Sequence, residues 1–100
     1  MSLEQLTEQV AIQAPQLATL GYKVKFDIED EGVILVDGTV NPVTVDNADA
    51  EADCTISLSA AKLEKLVIGD LSPTLAYTFG QIKVDGSLGV AMKLASLLES

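Results

Sequence analysis

The sequence predicts an α+β domain: a five-stranded, mostly antiparallel sheet covered by helices. Three observations carry that expectation. Residues 22–29 alternate apolar and polar without a fault, the pattern of a strand with one wet face. Three further strand candidates follow before residue 58, and short hairpins suit an antiparallel or mixed sheet. Helix candidates open after Ser2, Ser59, Ser72 and Ser87, and serine is a favoured N-cap because its hydroxyl can accept a bond from an orphan N–H of the first turn. The predicted order is helix, four strands, two helices, strand, helix.

Ser2 and Gln5 fit a capping box for a helix running to about Gln13. Leu3, Leu6 and Val10 share one face of it at helical spacing. Pro15 is expected to end or kink this segment, since proline lacks the N–H and clashes with the preceding turn. A second short helical piece carries Leu17 and Leu20 up to Gly21. In the first strand Tyr22, Val24, Phe26 and Ile28 face one way, and Lys23, Lys25, Asp27 and Glu29 the other. Asp30-Glu31-Gly32 is a turn, with Gly32 free to take a positive φ. Val33 to Asp37 completes a hairpin, and its unbroken apolar run implies some burial on both faces. Gly38 marks a break. Thr39 to Val45 reads as a third strand, with Pro42 favouring an edge or an irregularity.

Residues 46–53 carry Asp46, Asp49, Glu51 and Asp53 but not the alternating ligands, central glycine and terminal glutamate of an EF-hand, so they read as a solvated connection. In the fourth strand Cys54, Ile56 and Leu58 point inward, and Asp53, Thr55 and Ser57 outward. The lone Cys54 can form no intrachain disulfide and reads as a small buried hydrophobe. Ser59 caps a helix to Ile68, with Leu63, Leu66 and Val67 on its apolar side and Gly69 at its end. Ser72-Pro73 opens a short helix that Gly80 stops. Gln81 to Asp85 alternates as a strand, Gly86 turns the chain, and Ser87 caps the last helix. That helix is apolar over so wide an arc, from Leu88 to Leu98, that it must bury more than one face. One face can go to the sheet; the other needs a second helix, a partner or an apolar ligand.

Composition narrows the function. One hundred residues predict one domain, spanning 1–100, and 48% hydrophobic residues with a mean hydropathy of +0.33 exclude a disordered segment. A net charge of −9 argues against nucleic acid and against strong docking on anionic membranes. There is no histidine, hence no Ser-His-Asp or Cys-His device, and neither a nucleophile elbow nor a phosphate-binding loop is present. Zinc sites want Cys and His, which are nearly absent. The expectation is a non-enzymatic protein with no cofactor and no metal. No basic, apolar leader opens the chain, no run approaches the ~20 apolar residues of a membrane span, and the ending Leu98-Glu99-Ser100 is no peroxisomal address. A cytoplasmic protein without stable membrane insertion is expected.

Several stretches carry a family resemblance. Ala52-Asp53-Cys54-Thr55-Ile56-Ser57-Leu58-Ser59, Gly69-Asp70-Leu71-Ser72-Pro73, Phe79-Gly80-Gln81-Ile82-Lys83-Val84-Asp85-Gly86 and Leu88-Gly89-Val90-Ala91-Met92-Lys93-Leu94 follow in the order seen in the SCP-2 (sterol carrier protein 2) lipid-transfer domains. The chain resembles that family over its length, most closely in its C-terminal half. Gln81 stands where the family usually has lysine, and Ser87 where it has Asp or Asn. The resemblance implies a five-stranded sheet covered by helices, an apolar tunnel between the layers, and binding of sterols, fatty acids, acyl-CoA or phospholipids. Lining candidates are Leu66, Leu75, Phe79, Val90, Leu94, Leu97 and Leu98 from the helical half, with Ile34 and Val36 from the sheet. The alternative is an accessory module of a lipid- or quinone-handling system, or a homodimer, that buries Leu97 and Leu98 of the C-terminal helix in a partner.

Overall fold

The computed structural model describes residues 2–99. Its elements are α1 (Leu3–Gln13), a 3₁₀ turn (Ala14–Leu17), β1 (Lys23–Ile28), β2 (Gly32–Asp37), β3 (Thr44–Asp46), β4 (Cys54–Leu58), α2 (Ala60–Val67), α3 (Pro73–Thr78), β5 (Lys83–Gly86) and α4 (Leu88–Glu99). The strands lie in the order β3-β2-β1-β4-β5. All neighbours are antiparallel except the central pair β1 and β4, which is parallel.

Register turns the alternation of each strand into a shared surface. Ile34, Phe26, Ile56 and Val84 stand opposite one another across β2, β1, β4 and β5. Val45, Val36, Val24 and Cys54 form a parallel row one step away. These rows make the inner face of the sheet, and the helices lie on it. Helix α1 packs on α2, β2 and β3, whereas α4 packs on β4, β5, α3 and the 3₁₀ turn. The wide apolar arc of α4 is therefore covered by the sheet on one side and by short helical pieces on the other. Among the described residues no helix packs on the opposite face of the sheet. The acidic loop crosses it, tacked down by an ion pair between Lys25 Nζ and Asp49 Oδ1 at 2.8 Å. At the loop's end Lys23 N donates to Asp53 Oδ2 at 2.9 Å.

The helix ends form as their residues require. The Ser2 hydroxyl accepts from Gln5 N and the Gln5 side chain accepts from Ser2 N, closing the box. Ser59, Ser72 and Ser87 accept from the N–H groups of Lys62, Leu75 and Val90. At the end of α2, Gly69 N donates to Leu66 O and Asp70 N to Lys65 O; at the end of α3, Gly80 N donates to Tyr77 O and Gln81 N to Ala76 O. Both closures need a left-handed residue, and Gly69 and Gly80 supply it with φ of 82° and 72°.

Two boundaries depart from the sequence expectation. The third strand is only Thr44–Asp46, not Thr39–Val45. The Asp37 carboxylate accepts from both the N–H and the hydroxyl of Thr39, which bends the chain away from β2. The same two bonds hold the Asp37 carboxyl below its ordinary 3.8. At Pro15 the expectation holds: the α-helix ends at Gln13, and the chain goes on as a 3₁₀ turn with proline near its start, where no N–H is missed. Strand β5 begins at Lys83 because Gln81 N is spent on closing α3.

Gly86 combines two demands. Its φ is 92°, and a Cβ there would sit 2.7 Å from Asp53 O, the atom that also accepts from Ser87 N. Gly69 has a similar φ with open space around it. Gly69→Ala is expected to cost about 1–2 kcal/mol of unfolding free energy, the left-handed penalty alone. Gly86→Ala is expected to cost more, about 3 kcal/mol, since strain and a backbone clash add. Urea unfolding of both variants beside the parent measures the difference.

Candidate functional site

Between α4 and the β1–β4–β5 half of the sheet lies an apolar cavity of about 20 Å³. Its floor is Phe26, Ile56 and Val84, three members of one register row, with Ile82 just before β5. Leu66 of α2 closes one side. Pro73 and Tyr77 of α3 and Leu88, Ala91, Met92, Leu94, Ala95 and Leu98 of α4 form the roof and far wall. Among the described lining residues Tyr77 alone carries a side-chain oxygen or nitrogen. A volume of this size holds about one water, whereas even benzene needs a cavity of about 150 Å³. In this conformation the walls are closed on one another.

The structure brings Leu66, Leu94 and Leu98 to the cavity wall and leaves the other six candidates off it. Ile34 and Val36 are fully buried, but on β2, on the far side of β1 from α4. The parallel β1–β4 pairing decides this: it puts β4 and β5 under α4 and leaves β2 under α1. Val90 lies in the main core on the flank of α4, and Leu97 packs half-buried beside it. Leu75 of α3 and Phe79, its C-cap residue, are one turn apart, as their spacing requires, but they face solvent, 54% and 71% exposed. Ala76 is the buried residue of that helix, so the opposite side points inward. Leu98 packs against the core of its own chain.

Sequence reasoning missed Phe26, Ile56, Val84, Tyr77 and the small pair Ala91 and Ala95. The strand members were legible as inward-facing, but which row meets α4 depends on strand order. The alanines carried a signal of a different kind: small residues leave room between a helix and the layer it covers.

Among the described residues no carboxylate, amine or thiol side chain lines the cavity. Among the described residues no three Cys, Asp or Glu side chains come together to hold a metal ion. Cys54 is buried in the inner face of β4. Burial pushes its thiol above the ordinary 9.0, and the carboxylates of Asp53 and Asp85 add to the effect. No described helix is long and apolar enough to cross a membrane.

The sequence profile of the SCP-2 sterol transfer family matches residues 3–99. The chain belongs to this family. Sterol carrier protein 2 of Bos taurus is 41% identical over 51 residues, which are 51% of this chain and 9% of the bovine protein. The chain thus spans only a small part of the length of that SCP-2 relative. Among solved structures, the sterol carrier protein domain of Helicoverpa armigera superposes with a TM-score of 0.72 at 24% identity, covering 95% of this chain and 80% of the other. Palmitated SCP2L2 of Aedes aegypti gives a TM-score of 0.71 at 17% identity, covering 100% and 96%. At such identities the superpositions establish that the SCP-2 fold is shared.

The state of Cys54 makes a pH prediction. The folded chain keeps the thiol proton to higher pH than the unfolded chain does. Above the ordinary value of 9.0 the unfolded state therefore binds fewer protons, and stability falls as pH rises. Urea midpoints taken at increasing pH from 8 upward are expected to fall more steeply for the parent than for Cys54→Ala. Labelling of Cys54 by a thiol reagent at pH 8 is expected to run no faster than local opening.

Proposed function

We propose that this chain is a non-enzymatic lipid carrier that takes a single apolar chain into the space between α4 and the β1–β4–β5 half of the sheet. The observation that supports it best is a wall built wholly of apolar groups with one hydroxyl, in a family of sterol-transfer domains. The Aedes aegypti protein of the same fold was solved palmitated. A fatty acyl group is accordingly the first ligand to test, ahead of sterol or isoprenoid.

The energetics allow such a site. Each methylene taken out of water is worth about 0.8 kcal/mol, so a dozen provide about 10 kcal/mol in gross terms. Lost ligand freedom and the cost of opening the cavity take back several kcal/mol, leaving roughly micromolar to nanomolar affinity. The 20 Å³ cavity must widen for this to happen. Helix α3 is the wall best able to yield. It has six residues, far below the length at which a helix is stable alone. It is held mainly against α4, and left-handed glycines stand just beyond the helix before it and at its own end. Met92 across from it is an unbranched side chain that adapts to a changed cavity shape. With one hydroxyl to orient a head group, selectivity among apolar chains is weak.

Native mass spectrometry of the protein as purified, followed by extraction and lipid identification, is the direct test. The expected outcome is one acyl-chain lipid per protein, and displacement of a fluorescent fatty acid by unlabelled palmitate. Ala91→Phe fills the cavity and should abolish fatty-acid binding at a stability cost of about 1–3 kcal/mol. Protein that stays empty and binds no fluorescent fatty acid overturns the proposal. Retained full affinity in a folded Ala91→Phe variant overturns the placement.

A further inference from the structure

Strands β3 and β5 are the two edges of the sheet, and they differ in charge. The whole net charge of −9 falls in residues 1–59, where β3 runs into the acidic loop. Residues 60–100 are neutral, with four lysines against four carboxylates. A second copy of this chain is repelled at the β3 edge and meets no such barrier at the β5 edge. Register shows what that edge offers. Ser87 N donates to Asp53 O at 2.9 Å, and β5 runs antiparallel to β4 with Asp85 opposite Thr55 and Val84 opposite Ile56. Bonded and non-bonded pairs alternate along an antiparallel ladder. Ser87, Asp85 and Lys83 therefore turn their backbone groups toward β4, and Val84 turns its N–H and C=O outward. Among the described residues no strand lies beyond β5, and an open edge is a template for another strand. The side chains alternate as well. Val84 faces inward and lines the cavity with Leu88 and Met92, which are 45% and 41% exposed. Lys83 and Asp85 stand exposed on the opposite face.

We propose that β5 is the edge through which two copies of this chain associate, antiparallel about a two-fold axis at Val84. Symmetry fixes what meets. Val84 faces Val84 of the second copy and exchanges both backbone bonds with it. Lys83 of each copy falls opposite Asp85 of the other, so two cross-strand ion pairs form on the wet face. A lysine on an edge strand ordinarily wards off a like strand. Here the aspartate two residues further on turns the edge into its own complement in this register. A two-fold axis normal to the sheet puts both helical layers on one side of it. Leu88 and Met92, beside Val84 in the cavity wall, then come toward the seam. Strands of four residues and exposed ion pairs make a weak, reversible dimer. The pairing stands apart from the carrier function proposed above and is measured without lipid.

Sedimentation velocity over a range of protein concentrations tests the inference. The parent is expected to show a monomer–dimer equilibrium. Lys83→Asp and Asp85→Lys change exposed side chains and should fold normally. Each sets like charges opposite one another in both pairs and should weaken the dimer about tenfold or more. Asp85→Lys is the sharper of the two. It lowers the net charge, so general repulsion alone would make it associate better, whereas the pairing makes it associate worse. An equimolar mixture of the two variants restores both ion pairs and should recover the dimer. Ile12→Ser is the control: Ile12 is 66% exposed but lies on α1, and this variant should associate like the parent. Amide exchange places the contact, since the Val84 N–H should exchange more slowly as the dimer fraction rises. A parent that stays monomeric at millimolar concentration overturns the inference. So does a dimer that Asp85→Lys leaves intact, a mixture that does not re-associate, an equal loss in Ile12→Ser, or a dimer whose Val84 amide exchanges as in the monomer.

Discussion

The cover of α4 is the constraint on which the rest depends. From Leu88 to Leu98 this helix is apolar over so much of its circumference that it cannot stand on a sheet with its other side in water. The chain meets that demand from three directions: the β4–β5 half of the sheet, the 3₁₀ turn and α3. The first two covers are firm. Leu17, Ile56 and Leu94 are all buried in one continuous core. The third is thin, since a six-residue helix contributes a single buried side chain, Ala76.

A domain of one hundred residues has little apolar material to spare, and a permanent open tunnel would take much of it. The observed arrangement avoids that cost. The walls close to about 20 Å³, so most of the apolar contact is retained while the site is shut.

The two ends of α3 explain how so short a helix is defined at all. Ser72 caps its first turn, Pro73 presets the backbone at the first helical position, and Gly80 closes its last carbonyls. These are local bonds that travel with the helix. They give α3 a fixed internal shape, and Ala76 seats it in the core.

Much of the fold was legible in the residues because its causes are local. The alternation from Tyr22 to Glu29, the serine caps, and the glycines after α2 and α3 depend on neighbours within a turn or a strand. The family resemblance of the segments from Ala52 to Leu94 rests on the same local order. The length of β3 was misread because a side chain, Asp37, competed for the backbone of Thr39. The cavity wall was legible only in part. Leu66, Leu94 and Leu98 lie on it through helix faces that periodicity reveals. Ile34 and Val36 share the inward pattern of Phe26 and Ile56, and nothing within a strand distinguishes them. Only the parallel pairing of β1 with β4 assigns one pair to α1 and the other to α4. Likewise the spacing of Leu75 and Phe79 puts them on one face of α3, but a helix with apolar residues on both sides has no inherent inside. The sequence alone determined which residues share a face. Tertiary structure decided which face meets what, because strand order and helix docking are set by contacts between residues far apart in the chain.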